Sequence, residues 1–69
     1  MEDLEIRTRS RLSRNAFMLY NHMELESVQQ DRAVFRLEIR PESKNPFGMV
    51  HGGALYTLAD NAAGVAVHT

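Results

Sequence analysis

"PFGMVHGGALYTLADNAAGVAVHT", residues 46–69, is the stretch on which the reading of this chain turns. From Ala54 to Val67 the polar residues are Tyr56, Thr57, Asp60 and Asn61, and a helix apolar on nearly every side is a buried one. Gly52 and Gly53 are weak in a helix interior but acceptable in a first turn, so the helix is expected to open there. At ~1.5 Å per residue it makes a rod roughly 20 Å long. Something must wrap that rod, and something must explain a carboxylate inside it.

The wrapping begins upstream, where the period changes to two. Met23, Leu25 and Ser27 alternate with Glu24, Glu26 and Val28; after Gln29, Gln30 and Asp31, residues Ala33, Phe35, Leu37 and Ile39 alternate with Val34, Arg36, Glu38 and Arg40 until Pro41. Such alternation marks half-buried antiparallel strands, so a hairpin is predicted with strands over 23–28 and 32–40. Residues 41–50 read as a loop, punctuated by Pro41, Asn45, Pro46 and Gly48, with Asn45 held extended by the proline after it. Two strands cannot enclose the helix, and the remaining sheet is expected downstream of Thr69. Before the hairpin, Phe17, Met18, Leu19 and Tyr20 support a short helix within 15–22.

Residues 1–14 form a charged arm, frayed or helical, in which Arg7, Arg9, Arg11 and Arg14 interleave with Leu4, Ile6 and Leu12. Glu2, Asp3 and Glu5 precede the arginines and no aromatic separates them, which favours a solvated segment over a nucleic-acid arm. Eight Lys and Arg against nine Asp and Glu give a formal net charge of −1, a balance that attracts neither nucleic acid nor an anionic membrane. A chain of 69 residues, 43% hydrophobic, makes at most one small domain. With no cysteine, stability must come from packing or a partner chain. No apolar run approaches the ~20 residues of a membrane span and no signal peptide opens the chain, so a soluble, cytoplasmic protein is expected.

Asp60 has no Lys or Arg one helical turn away, and an unpaired carboxylate taken from water costs several kcal/mol. Two readings stand at this point. Asp60 is a general base or nucleophile facing a substrate pocket, or it bonds Thr57 or a backbone amide, or looks out of an exposed strip with Asn61. His51-Gly52-Gly53 lies where loop becomes helix, and first-turn N–H groups with the positive dipole end suit a carbonyl oxygen that glycine lets approach; two glycines also serve a tight corner. His22, His51 and His68 with Asp60 lack zinc spacing, so no metal is expected. Ser10, Ser13, Ser27 and Ser43 lie in no nucleophile elbow and there is no phosphate-binding G-x-x-x-x-G-K motif. Gly52 and Asp60, eight residues apart on one helix, are separated by ~12 Å along its axis. That is too far for both to reach one carbonyl group, and a joint site needs two chains.

Residues 45–64, N-P-F-G-M-V-H-G-G-A-L-Y-T-L-A-D-N-A-A-G, resemble the signature of the hotdog-fold thioesterases of the phenylacetate-pathway (PaaI-like) type, in which an Asn, a Gly, the HGG turn and an Asp nine residues beyond the His recur. The resemblance covers roughly 15–69 and implies an α+β hotdog fold, a curved antiparallel sheet around one long helix, of which this chain carries an N-terminal portion. It implies an acyl-CoA thioesterase in which Asp60 is general base or nucleophile and the Gly52 N–H meets the thioester oxygen. Asn45 positions the substrate carbonyl or the attacking water, His51 holds the loop, and Gly53 and Gly48 contribute to substrate binding. It further implies no cofactor beyond the coenzyme A of the substrate, and a homodimer or tetramer. A non-catalytic acyl-CoA-binding domain, or an inactive truncated product, are the rival expectations.

Overall fold

The computed structural model describes residues 2–69, and from residue 3 onward their side chains; Met1, the first residue of the expected arm, lies outside the described residues. The elements run α1 (Glu2–Leu12), α2 (Ala16–Tyr20), β1 (Met23–Gln29), β2 (Arg32–Leu37), a 3₁₀ turn (Pro41–Ser43) and α3 (Gly52–Val67). This is an α+β arrangement, a two-stranded antiparallel sheet against helices, compatible with part of a hotdog domain.

The charged arm is helical because its charges are spaced for a helix. Asp3 pairs with Arg7 and Glu5 with Arg9, each four residues on, and Arg9 and Arg11 sit in the last turn, where the helix dipole favours cations. One face of α1 is not solvated: Leu4 and Thr8 are buried, Leu12 is half-buried, and Thr8 satisfies its hydroxyl on the Leu4 carbonyl at 2.8 Å. These three residues, four apart, lie over β1. The expected solvated arm is thus half core. The next helix, α2, starts where Asn15 caps it, the side-chain oxygen accepting from Met18 N–H at 3.1 Å.

Strand β1 departs from simple alternation. Leu25 stands opposite Phe35 and Ser27 opposite Val34, leaving Glu26 without a partner. This bulge moves Val28 onto the face of Met23 and Leu25, so Ser27, expected on that inner face, is exposed and Val28 is buried. β2 ends at Leu37, short of the predicted residue 40, and Ile39 is 55% exposed. The hairpin tip closes on Asp31 at φ 60°, a left-handed conformation Asp tolerates better than most residues. Its N–H donates to the Thr69 hydroxyl at 2.6 Å, and that hydroxyl donates on to the Ala66 carbonyl, tying the hairpin tip to the end of α3.

Helix α3 rests on β2 along one stripe of half-buried residues, Ala54, Leu58, Ala62, Val65 and Ala66. No residue of α3 is buried, and Leu55, Tyr56 and Val67 are largely exposed. The sequence predicted a buried helix; two strands cover one side of it, and the rest of its apolar surface faces outward. None of the helices among the described residues is long and apolar enough to cross a membrane.

Two outcomes follow from this packing. Exposed apolar surface on this scale drives association, so the 69-residue chain should sediment as a dimer or larger species, and a cooperatively unfolding monomer of 7.9 kDa would contradict this. Met18, 2% exposed where α2 meets β1, should cost about 2–5 kcal/mol on replacement by alanine, read by denaturant unfolding of the full-length protein.

Candidate functional site

The start of α3 is fixed by a closed loop. Lys44 and Val50 form an antiparallel bridge, and the His51 N–H donates to the Ser43 carbonyl at 2.7 Å. Inside the loop the Asn45 side-chain oxygen accepts from the N–H groups of both Phe47 (2.9 Å) and Met49 (3.1 Å), while its backbone N–H donates to the Met49 carbonyl. This is the side-chain-to-backbone bonding for which asparagine is favoured in turns. Gly48 stands at φ +81°, where a side chain is strained, and its N–H donates to the Asn45 carbonyl at 3.0 Å. Asn45 therefore organises the loop through its oxygen, and its side-chain NH₂ has no acceptor among the described residues. The loop holds Phe47 and Met49 outward, Phe47 at 83% exposure.

His51 is the N-cap of α3: its Nδ1 accepts from the Gly53 N–H at 2.8 Å. Acceptance requires an unprotonated Nδ1, so the proton of the neutral ring is on Nε2. A Cβ on Gly53 would stand 3.0 Å from that Nδ1, which accounts for the second glycine by the cap alone. Ala54 N–H and Leu55 N–H reach the His51 carbonyl. Of the first-turn donors, the Gly52 N–H is left without an acceptor among the described residues, and a Cβ on Gly52 would meet nothing within 4 Å. Open space and a free donor coincide at one residue, at the positive end of a 16-residue helix.

Asp60, expected inside a buried helix, is exposed. Its carboxylate makes no hydrogen bond or ion pair among the described residues, and it does not bond Thr57, whose hydroxyl donates to the Gly53 carbonyl. Asn61 is committed: its NH₂ donates to the Thr57 carbonyl and its oxygen accepts from Asn15 Nδ2, linking α3 to the cap of α2. Asp60 faces a cleft of about 270 Å³ between α3 and α1, with Arg11 and His68 on its walls. His51 and Gly53 line a different cleft, beside Phe17 and Tyr56. The fold separates the two halves of the expected site, as their spacing along the helix requires. Among the described residues no group of three or more His, Asp or Glu is placed to hold a metal. Arg11 was absent from the sequence reading of the site, and His68 entered it only as a metal candidate set aside for its spacing; the signal for His68 was its position two turns beyond Asp60, while nothing local placed Arg11 there.

The 3₁₀ turn leading into the loop is pinned by Glu42, which meets His22 Nε2 at 3.0 Å. Its own backbone N–H, and then His22, hold the Glu42 carboxyl below the usual carboxylate range.

Residues 12–69 match the family described as "Domain of unknown function (DUF4442)". The chain is also 40% identical over 43 residues to a 1,4-dihydroxy-2-naphthoyl-CoA hydrolase of Listeria monocytogenes serotype 1/2a (strain 10403S), a match covering 62% of this chain and 35% of that protein. The chain thus spans about a third of the length of the curated relative it matches. No solved structure matches it.

Two measurements check this geometry. Asn45→Ala removes the acceptor of two loop amides, so hydrogen exchange at Phe47 and Met49 should accelerate about tenfold or more, while Asn45→Asp, which keeps an acceptor oxygen, should protect them. Because the Glu42 carboxyl is held low, its contact stabilises the turn fully above the ordinary carboxylate pKa and is lost as pH falls through the lowered value. Carbon NMR titration should give Glu42 a midpoint below the ordinary glutamate value, and a midpoint at that value would refute the contact.

Proposed function

The chain belongs to the family described as a domain of unknown function (DUF4442), and on that footing we propose that it forms part of an acyl-CoA thioesterase of hotdog fold. The observation that carries this reading is the pair of uncommitted groups on one helix, the Gly52 N–H with open space over it and the Asp60 carboxylate without a partner. The similarity to a CoA-thioester hydrolase supports the substrate class.

In this reading the thioester oxygen sits against the Gly52 N–H and the Asn45 NH₂, the atoms that the loop and cap leave uncommitted. Asp60 takes a proton from water as the water oxygen adds to the carbonyl carbon. Charge developing on the thioester oxygen is stabilised by donors already in place. Collapse of the adduct breaks the C–S bond, and the coenzyme A thiol leaves with a proton returned from Asp60. Attack by the Asp60 carboxylate itself, followed by hydrolysis of the anhydride, uses the same groups. His51 and Gly53 keep the first turn in place, and Gly48 keeps the loop closed. Because ~12 Å of helix separates Gly52 from Asp60, the working site takes Gly52 and Asn45 from one protomer and Asp60 from another, in a cytoplasmic homodimer or tetramer.

In the full-length protein Asp60→Asn should lower kcat by about 10²–10⁴-fold with little change in KM, because the amide keeps the shape and removes the base. Near-wild-type turnover would instead favour a domain that binds acyl-CoA without cleaving it. Sharing of the site has its own test. Asp60→Asn and Gly52→Val homodimers should each be nearly inactive, yet after subunit exchange about a quarter of wild-type activity should return, since half the dimers are mixed and half of their sites are intact. Zero recovery with demonstrated exchange and folded variants defeats the shared site.

A further inference from the structure

The cleft beside Asp60 contains more than the proposed reaction needs. Arg11 lines it from α1, and His68 lines it from the end of α3, two turns beyond Asp60. Arg7, Arg9, Arg36 and Arg40 all pair with carboxylates; Arg11 has no such partner among the described residues, although Asp60 shares its cleft. His68 Nδ1 lies 2.7 Å from the Gly64 carbonyl. A carbonyl only accepts, so Nδ1 carries the hydrogen, and in the neutral ring Nε2 offers its lone pair. Gly64 lines the same cleft, a glycine within a helix, where alanine is the more stable residue. No contact among the described residues requires it, since a Cβ there would meet no atom within 4 Å. Its missing side chain leaves that stretch of the cleft wall unfilled. Half-buried Leu12 and Val65 supply apolar walls, and no Phe, Tyr or Trp lines the cleft.

Resting on the thioesterase reading, we propose that this cleft receives the acyl group and that Arg11 and His68 are specificity-determining residues that select an aliphatic acyl chain bearing a distal hydroxyl. A guanidinium only donates and the free imidazole nitrogen accepts, and a hydroxyl satisfies both at once. An anionic acyl group is disfavoured, because its carboxylate would share the cleft with Asp60, whereas a neutral hydroxyl leaves one cation facing one anion. Aliphatic walls suit a methylene chain.

The test compares ω-hydroxyhexanoyl-CoA with hexanoyl-CoA on the full-length protein. Wild type should favour the hydroxylated thioester by about tenfold or more in kcat/KM. Arg11→Met should bring that ratio to about one, and Arg11→Lys, which keeps a cationic donor, should restore part of it. A wild-type ratio near one, or a ratio unchanged in Arg11→Met, overturns the proposal while hydrolysis of both thioesters leaves the enzymatic reading standing. Failure to hydrolyse any CoA thioester defeats both. Gly64→Leu should lower hexanoyl-CoA turnover relative to acetyl-CoA by about tenfold or more, with Gly64→Ala moving the ratio the same way by less; equal effects on the two thioesters show that the cleft does not hold the acyl group.

Discussion

One backbone hydrogen bond, from the His51 N–H to the Ser43 carbonyl, decides where α3 begins, and with it which amide is left over. Closing the loop at that point brings His51 into the extended conformation of an N-cap, and its imidazole then takes the Gly53 N–H. Had the helix begun one residue later, the cap and the free donor would fall on different residues. Asn45 reinforces this closure from inside through three bonds to Phe47 and Met49. A buried Ser43 anchors its base. The candidate chemistry at Gly52 is therefore a consequence of loop geometry as much as of the helix itself.

The other half of the candidate site depends on a different balance. Asp60 stays unpaired because its helical neighbours Thr57 and Asn61 spend their hydrogen bonds on backbone and on Asn15. Arg11, a cation on the same cleft, enters from α1, whose position rests on the small core of Leu4, Leu25 and Val28. Electrostatics at the carboxylate thus depends on packing at the far side of the hairpin.

Much of this was legible in the sequence. The hairpin followed from period-two alternation, the loop from Pro41, Asn45, Pro46 and Gly48, and α3 from its composition. What escaped was whatever depends on contacts between distant residues. The arm was expected frayed or helical and solvated, because Ile6, at 64% exposure, dilutes the stripe of Leu4, Thr8 and Leu12; only contact with β1 shows which residues face inward. The expectation of a buried α3 assumed that apolar surface is covered within the chain, and two strands cover too little. His51 could be read as structural or chemical, and its geometry makes it a cap; Gly53 then belongs with the cap and Gly52 with the free donor. Pattern alone could not separate two adjacent glycines. The role of Asp60 was open between chemistry, a structural bond and an exposed strip shared with Asn61; it makes no bond among the described residues and is exposed, which removes the structural bond and leaves the exposed strip and the chemistry for experiment to separate.

The unpaired Glu26 gives the hairpin a particular relation to changes in its own length. Because the bulge absorbs one residue between Leu25 and Ser27, removing Glu26 would leave Met23, Leu25 and Val28 in strict alternation, all still facing inward and still opposite Leu37, Phe35 and Ala33. A deletion between Met23 and Leu25 would turn an inward residue outward. The strand therefore has one place where its reading frame of faces is free to slip by a residue without disturbing the core, and relatives that align poorly by length across this segment can share the same inner surface.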